Sequence, residues 1–190
     1  MVIKCHGICG IRRGHQKRIR NRISQESNRH PQSSDRNYHW VYFGSFSPPE
    51  MNILILQGPN LNLLGVKASS SGERLTLDKL NKAIRKHVHG KDVKLKFLQT
   101  HKQFQAINFL QRNRNWADGL LFIPTSWAKY DWTITETLNL INIPVASIYF
   151  EDPFSLGPVE PESIMTGKMI QSFSGQPVDS CVLGIDHLLS

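Results

Sequence analysis

The chain has 190 residues, a formal net charge of +8, 39% hydrophobic residues and three cysteines, which leaves room for one domain with a substantial core but excludes a second full domain and a disulfide framework. No apolar run approaches the roughly 20 residues needed to cross a bilayer, and the first residues lack the apolar stretch of a secretory signal. A soluble protein in a reducing compartment, the cytoplasm, is therefore expected, with no membrane partner.

The basic excess sits at the front: Lys4, Arg12, Arg13, Lys17, Arg18, Arg20, Arg22, Arg29 and Arg36 face only Glu26 and Asp35 before Glu50. Residues 1–50 otherwise mix Ser, Asn, Gln and His with few apolar groups, too little to offset the entropy of ordering, and are read as a disordered extension. Three roles stay open for it: an organelle-targeting peptide, a nucleic-acid-binding tail, or upstream sequence without a role, Met51 being the natural start. The rest of the chain is close to balanced in charge, so polyanion binding is expected of the arm alone. Cys5, His6, Cys9 and His15 are irregularly spaced and lack a second paired half, so no metal site is expected there.

After Met51, short apolar runs alternate with longer periodic ones, the βα signature. Asn52 to Leu56 reads as a strand buried on both faces, ending at Gly58-Pro59. A helix over 77–87 follows, with Thr76 as its cap, Asp78 at its positive end and Leu77, Leu80, Ala83, Ile84 and Val88 at helical spacing. Next come a strand over 93–98, a helix over about 102–114 with Phe104, Ile107 and Leu110 inward, and a strand over 120–123 after the Asp118-Gly119 turn. The stretch 131–141 reads as a helix in which packing must override Thr133 and Thr135. Pro144 opens a fourth strand through Phe150, a Pro/Gly-rich loop covers 152–161, a fifth strand is placed at about 167–173, and a helix over 178–189 closes the chain. Five strands alternating with helices give an α/β fold, a doubly wound parallel sheet in a single domain over 51–190. In such sheets ligands sit beyond the carboxyl ends of the strands, which points to the loops after Leu56, Ile123 and Phe150.

The loop after the first strand reads Gln57-Gly58-Pro59-Asn60-Leu61-Asn62-Leu63-Leu64-Gly65. The glycine and proline force an abrupt exit from the strand, and Asn60 can aim a donor and an acceptor into the crevice or close a tight turn on itself. As a string it resembles the opening signature of type II 3-dehydroquinate dehydratases, hydro-lyases of the shikimate pathway. Weaker agreement comes from Ala117-Asp118-Gly119, Ile143-Pro144 and Ser163. The resemblance spans Met51 to about Ser190, nearly three quarters of the chain. It implies a flavodoxin-like fold, assembly as a dodecamer of trimers, no metal or cofactor, and a small anionic cyclic substrate dehydrated through an enolate. In that family a lid tyrosine beside an arginine is the base, and a histidine serves the leaving hydroxyl.

Measured against that pattern, Asn60 matches the first-loop asparagine and Lys67 stands where the lid arginine is expected. Little else survives. The lid reads Ala68-Ser69-Ser70-Ser71-Gly72, with serine where the tyrosine should precede Gly72, and Ile123 replaces the asparagine after the third strand. Ala128-Lys129-Tyr130-Asp131 stands for a Thr-His-Thr-Ser run, and Ser147-Ile148-Tyr149 stands for Glu-x-His. Leu156 and Glu160 fall where arginines are expected, and Glu151 and Asp152 put negative charge where the substrate carboxylate should dock. The resemblance thus nominates Asn60, Lys67 and Tyr149 as catalytic candidates and Asn60, Thr125, Ser126, Lys129, Phe150 and Glu151 as substrate-binding ones, no residue being nominated for a metal. Four readings follow: an active dehydratase with Tyr149 or Tyr130 substituting; a catalytically impaired relative kept as a binding or structural subunit; new chemistry with Lys129, Tyr149 and Glu151; or nucleic-acid binding by the arm. Trp116, Trp127 and Trp132 are expected in the core or at subunit contacts.

Overall fold

The computed structural model describes residues 50–190 apart from Ser71 and Glu73. The basic segment before residue 50, with its proposed disorder and its Cys and His cluster, lies outside the described residues. Strands β1 (Met51–Gln57), β2 (Val93–Gln99), β3 (Gly119–Ile123), β4 (Val145–Phe150) and β5 (Ile170–Gly175) form one parallel sheet in the order β2-β1-β3-β4-β5. This is the doubly wound, flavodoxin-like order, and it reverses between β1 and β3.

Strand alternation divides the apolar runs between two cores. Ile53, Ile55, Leu121, Ile123, Ala146, Ile148 and Phe150 point to one face, and Leu54, Leu56, Leu120, Phe122, Val145 and Tyr149 to the other. The first face is covered by α1 (Leu64–Ser70), α2 (Leu77–His87) and α6 (Pro177–Leu189). The second is covered by α3 (Gln103–Asn113), the short α4 (Trp127–Tyr130) and α5 (Trp132–Ile141). The caps act as their residue types suggest: Thr76 accepts from the Lys79 amide at 3.3 Å, and Asp131 accepts from the Ile134 amide at 3.0 Å. Thr135 and Thr137, poor helix formers, are buried in α5 and return their hydroxyls to the Asp131 and Thr133 carbonyls. No helix among the described residues is long and apolar enough to cross a membrane.

Three elements differ from the sequence reading. The fifth strand begins at Ile170 rather than near 167, because Asn139 of α5 donates to the Thr166 carbonyl at 3.0 Å and holds that stretch against the helix. The lid-like stretch from Ala68 is not an open loop: Ala68 to Ser70 end α1, since Leu64 and Ala68, four residues apart, are both fully buried. A separate turn of helix, α4, precedes α5, the two meeting at Asp131. Of the tryptophans, Trp127 is buried and Trp116 half-buried, whereas Trp132 is exposed.

Gly184 lets α6 lie close on the sheet. A Cβ there would stand 2.7 Å from Ile148 Cδ1, 2.8 Å from Leu121 Cδ1 and 3.2 Å from Ala146 Cβ. Two of those three are side-chain tips that can yield. Gly184→Ala is therefore expected to cost about 1–3 kcal/mol of overpacking, read as a lower urea midpoint with an unchanged slope.

Candidate functional site

The site is built where strand order reverses, from the loops that leave β1, β3 and β4. The Gly58 amide donates to the Ile123 carbonyl at 2.8 Å, tying the first loop to the third strand. A Cβ at Gly58 would run into the Pro124 carbonyl oxygen and meet Thr125 Oγ1 at 2.7 Å, so only glycine fits. Thr125, buried, has a φ of 51°. A β-branched residue rarely adopts that left-handed conformation. It is held there by its hydroxyl, which lies 2.8 Å from the Pro59 carbonyl and 2.7 Å from the Pro124 carbonyl. From the third loop, Gly157 (φ 98°) comes so close that a Cβ would overlap the Thr125 carbonyl group and stand 2.8 Å from the Ser126 amide nitrogen. Three loops thus meet backbone to backbone at Thr125.

Asn60 sits just outside this knot, exposed, with a φ of 64° that asparagine tolerates. It opens a single 3-10 turn, Leu61–Leu63, and its side chain makes no capping hydrogen bond. Its carboxamide is therefore not spent on that turn. Lys67 lies half-buried on α1. Gln57, by contrast, is buried, and its Nε2 donates to Asn81 Oδ1 at 2.6 Å.

Beyond β3, Ile123 is buried to 1% exposure in the α1–α2–α6 core and has no side-chain donor to offer. Ser126 begins α4 without a side-chain cap bond. It shares an open cleft of ≈ 230 Å³ with Lys129, Tyr130, Gly157, Pro158 and Glu162. Lys129 Nζ stands 3.7 Å from Glu162 Oε2, both side chains about half exposed.

The β4 exit is arranged differently. Tyr149 is buried, and its hydroxyl accepts from Ser147 Oγ at 3.1 Å and lies 2.6 Å from Ser163 Oγ, which in turn accepts from the Met165 amide. The three hydroxyls thus form one chain of hydrogen bonds. Tyr149, Phe150 and Glu151 border a second, smaller cleft of ≈ 150 Å³ with Val159, Glu160, Pro161 and Ser174. Ser174 Oγ donates to Glu160 Oε2 at 2.7 Å. The cleft is lined by two carboxylates and no Lys or Arg.

The candidates are therefore brought together only in part. Ser126 and Lys129 share one cleft, while Tyr149, Phe150 and Glu151 share the other. Asn60 and Lys67 line neither. Thr125 spends its hydroxyl on the two loop carbonyls rather than presenting it to a ligand. Gly157 and Glu162, which shape the Lys129 cleft, were not singled out from the sequence; the Gly157-Pro158 step in a loop carrying Glu160 and Glu162 was the signal to read. Cys181 is fully buried and its thiol is pushed far above its ordinary range by desolvation, which removes it as a nucleophile. Among the described residues no three His, Cys, Asp or Glu side chains are grouped to hold a metal ion.

Residues 51–189 match the family model described as dehydroquinase class II. The chain belongs to that family. It is 24% identical over 139 residues to a 3-dehydroquinate dehydratase of Clostridium botulinum, covering 73% of this chain and 95% of the relative. It is 25% identical over 138 residues to the 3-dehydroquinate dehydratase of Dictyoglomus turgidum, with the same two coverages. Among solved structures, the type II dehydroquinase of Butyrivibrio crossotus superposes with a TM-score of 0.60 at 22% identity, covering 74% of this chain and 99% of that one. The family expected from the first loop and the five-stranded fold expected from the alternation of strands and helices are thereby established.

The crossing at Thr125 is testable. The wall beside Gly157 is backbone rather than side-chain tip, and its φ is positive. Gly157→Ala is expected to destabilise by about 2–4 kcal/mol, the overpacking cost plus that of a left-handed alanine. Its urea midpoint should fall below that of Gly184→Ala.

Proposed function

We propose that residues 51–190 form a type II dehydroquinase-like domain whose pocket no longer sustains dehydration of 3-dehydroquinate at the family's pace, and that the chain serves as a binding or structural relative of the hydro-lyases. Residues 1–50 are a separate basic extension. Cytoplasmic location and homo-oligomeric assembly, a dodecamer by resemblance, belong to the same reading.

The observation that carries it is the state of Tyr149. The family's elimination needs a poised anion to take a ring proton and a donor for the departing hydroxyl. At the position where the resemblance calls for histidine, Tyr149 is buried and its hydroxyl is held by two serine hydroxyls. Both bonds run to serine hydroxyls and neither involves a cation. By the resemblance, Ser147 stands for the family's orienting carboxylate and Ile123, buried in the core, for the asparagine expected after the third strand. The carboxylates of Glu151 and Glu160 border the cleft at that strand end, where an anionic substrate would be repelled.

Loss of a general acid or base costs on the order of 10²–10⁴ in rate, and loss of an oxyanion donor about 10²–10³. Such losses do not add, yet each acts on the same step. A reading with new chemistry from Lys129, Tyr149 and Glu151 together gains no support, because Lys129 shares a cleft with neither of the other two.

The test is direct. With 3-dehydroquinate supplied to the full chain, ultraviolet absorbance of the conjugated product is expected to rise at least about a thousandfold more slowly than with the Clostridium botulinum dehydratase, from the missing groups. Turnover within about tenfold of that enzyme, abolished by Asn60→Ala, would overturn the reading.

A further inference from the structure

The folded domain is nearly neutral in sum but not in layout. From Arg74 to Arg114 the sequence carries eleven Lys and Arg against two acids, Asp78 and Asp92. From residue 115 to the end it carries two, Lys129 and Lys168, against nine Asp and Glu. The first stretch builds α2, β2 and α3, and β2 is an edge strand paired only with β1. The second builds β3, β4, β5 and their helices. The sheet therefore runs from a basic edge at β2 to an acidic side at β4 and β5.

The Lys and Arg side chains of the basic edge are all exposed. Lys91 and Lys94 meet carboxylates, at Asp186 (3.3 Å) and Glu50 (2.7 Å). The remaining cations of the stretch form no salt bridge among the described residues. Between β2 and α3 this edge opens into a groove of ≈ 500 Å³, whose lining includes Lys96, Gln105, Asn108, Phe109, Arg112 and Asn113. Lys96 lies 4.3 Å above the Trp116 ring and donates to Asn113 Oδ1 at 2.8 Å, which holds its ammonium at the rim. Phe104, expected from the sequence to face inward, is instead 60% exposed one turn before Asn108 on α3.

We propose that this β2–α3 edge is a binding surface for single-stranded nucleic acid, independent of the pocket at the strand ends and of the basic arm. Cations without carboxylate partners suit a phosphate backbone and would release its counterions on binding. Asn113 is spent on Lys96 and the Phe109 carbonyl and the Gln105 oxygen on Thr100, so among the described residues the Asn108 carboxamide and the Gln105 Nε2 are left for base edges, and Phe104 offers a ring face on which a base can stack. An edge strand studded with lysines resists pairing with another strand, so the nucleic acid is held through side chains. An acidic peptide would satisfy the charges but leave the amides and ring face unused.

The experiment uses the full chain, with fluorescence anisotropy of labelled 20-nucleotide single strands, one of RNA and one of DNA, titrated across a range of KCl concentrations. Lys96→Gln with Arg112→Gln removes two cations from the groove. Lys102→Gln with Arg112→Gln also removes two cations from the edge while leaving Lys96 stacked on Trp116. Lys168→Glu makes the same change in net charge on the acidic side. The wild-type chain is expected to bind, and both edge pairs to flatten the logarithmic salt dependence by roughly 1.4, about 0.7 for each phosphate that is no longer neutralised. Lys168→Glu should leave the slope unchanged, and unfolding curves should show every variant folded. Equal slopes for the edge pairs and wild type would overturn the proposal, leaving the arm as the binder. So would polyglutamate competing as well as the oligonucleotide, or salt-sensitive self-association of the chain with no oligonucleotide bound.

Discussion

The constraint on which the site depends is the crossing at Thr125. A doubly wound sheet places its crevice where strand order reverses, and here the three loops that should frame it are pressed together. Gly58 has room for no Cβ because the Pro124 carbonyl is in the way, and Gly157 has none because of the Thr125 carbonyl. Thr125 itself accepts a left-handed backbone that its hydroxyl bonds to Pro59 and Pro124 help to hold. The third loop cannot lift without opening that crossing. Among the described residues two modest clefts lie along it: Ser126 and Lys129 fall in one, Tyr149, Phe150 and Glu151 in the other, and Asn60 and Lys67 in neither.

Electrostatics follow from the same layout. Around the β4 exit the lining is acidic, with Glu151 and Glu160, and the exposed Lys129 stands nearest Glu162. An anionic ring would meet like charge there. The strongly basic surface lies across the sheet at β2, flanked by α2 and α3, away from the strand-end crevice. The chain keeps the architecture of its family while its charges are segregated across the sheet.

Much of the fold is legible because buried parallel strands leave a clear trace: Ile53 to Leu56 and Leu120 to Ile123 are continuous apolar runs and Val145 to Phe150 is broken only by Ser147, a pattern that burial on both faces explains. Edge positions are less so. The half-exposed alternation of β5 puts its start three residues early, and the tether from Asn139 to Thr166 that delays it is a tertiary contact with no local signature. Family spacing makes Ala68 part of a lid, although its distance of four residues from Leu64 already fits a buried helical face. The first loop names the family on its own. The fate of the site residues is another matter: the sequence places Tyr149 at a strand end, but only packing reveals that its hydroxyl is occupied by Ser147 and Ser163. The overall charge balance after residue 50 likewise conceals its segregation along the chain.

If the acidic lining at the β4 exit weakens the dehydratase pocket as proposed, the crevice at the strand ends should also hold the family's cyclic carboxylate poorly. Titration calorimetry with 3-dehydroquinate at equilibrium measures this without reference to turnover. No saturable heat is expected at ligand concentrations up to about 1 mM, corresponding to a binding free energy weaker than roughly −4 kcal/mol. A dissociation constant in the micromolar range, about −8 kcal/mol, that disappears in Asn60→Ala would contradict the account.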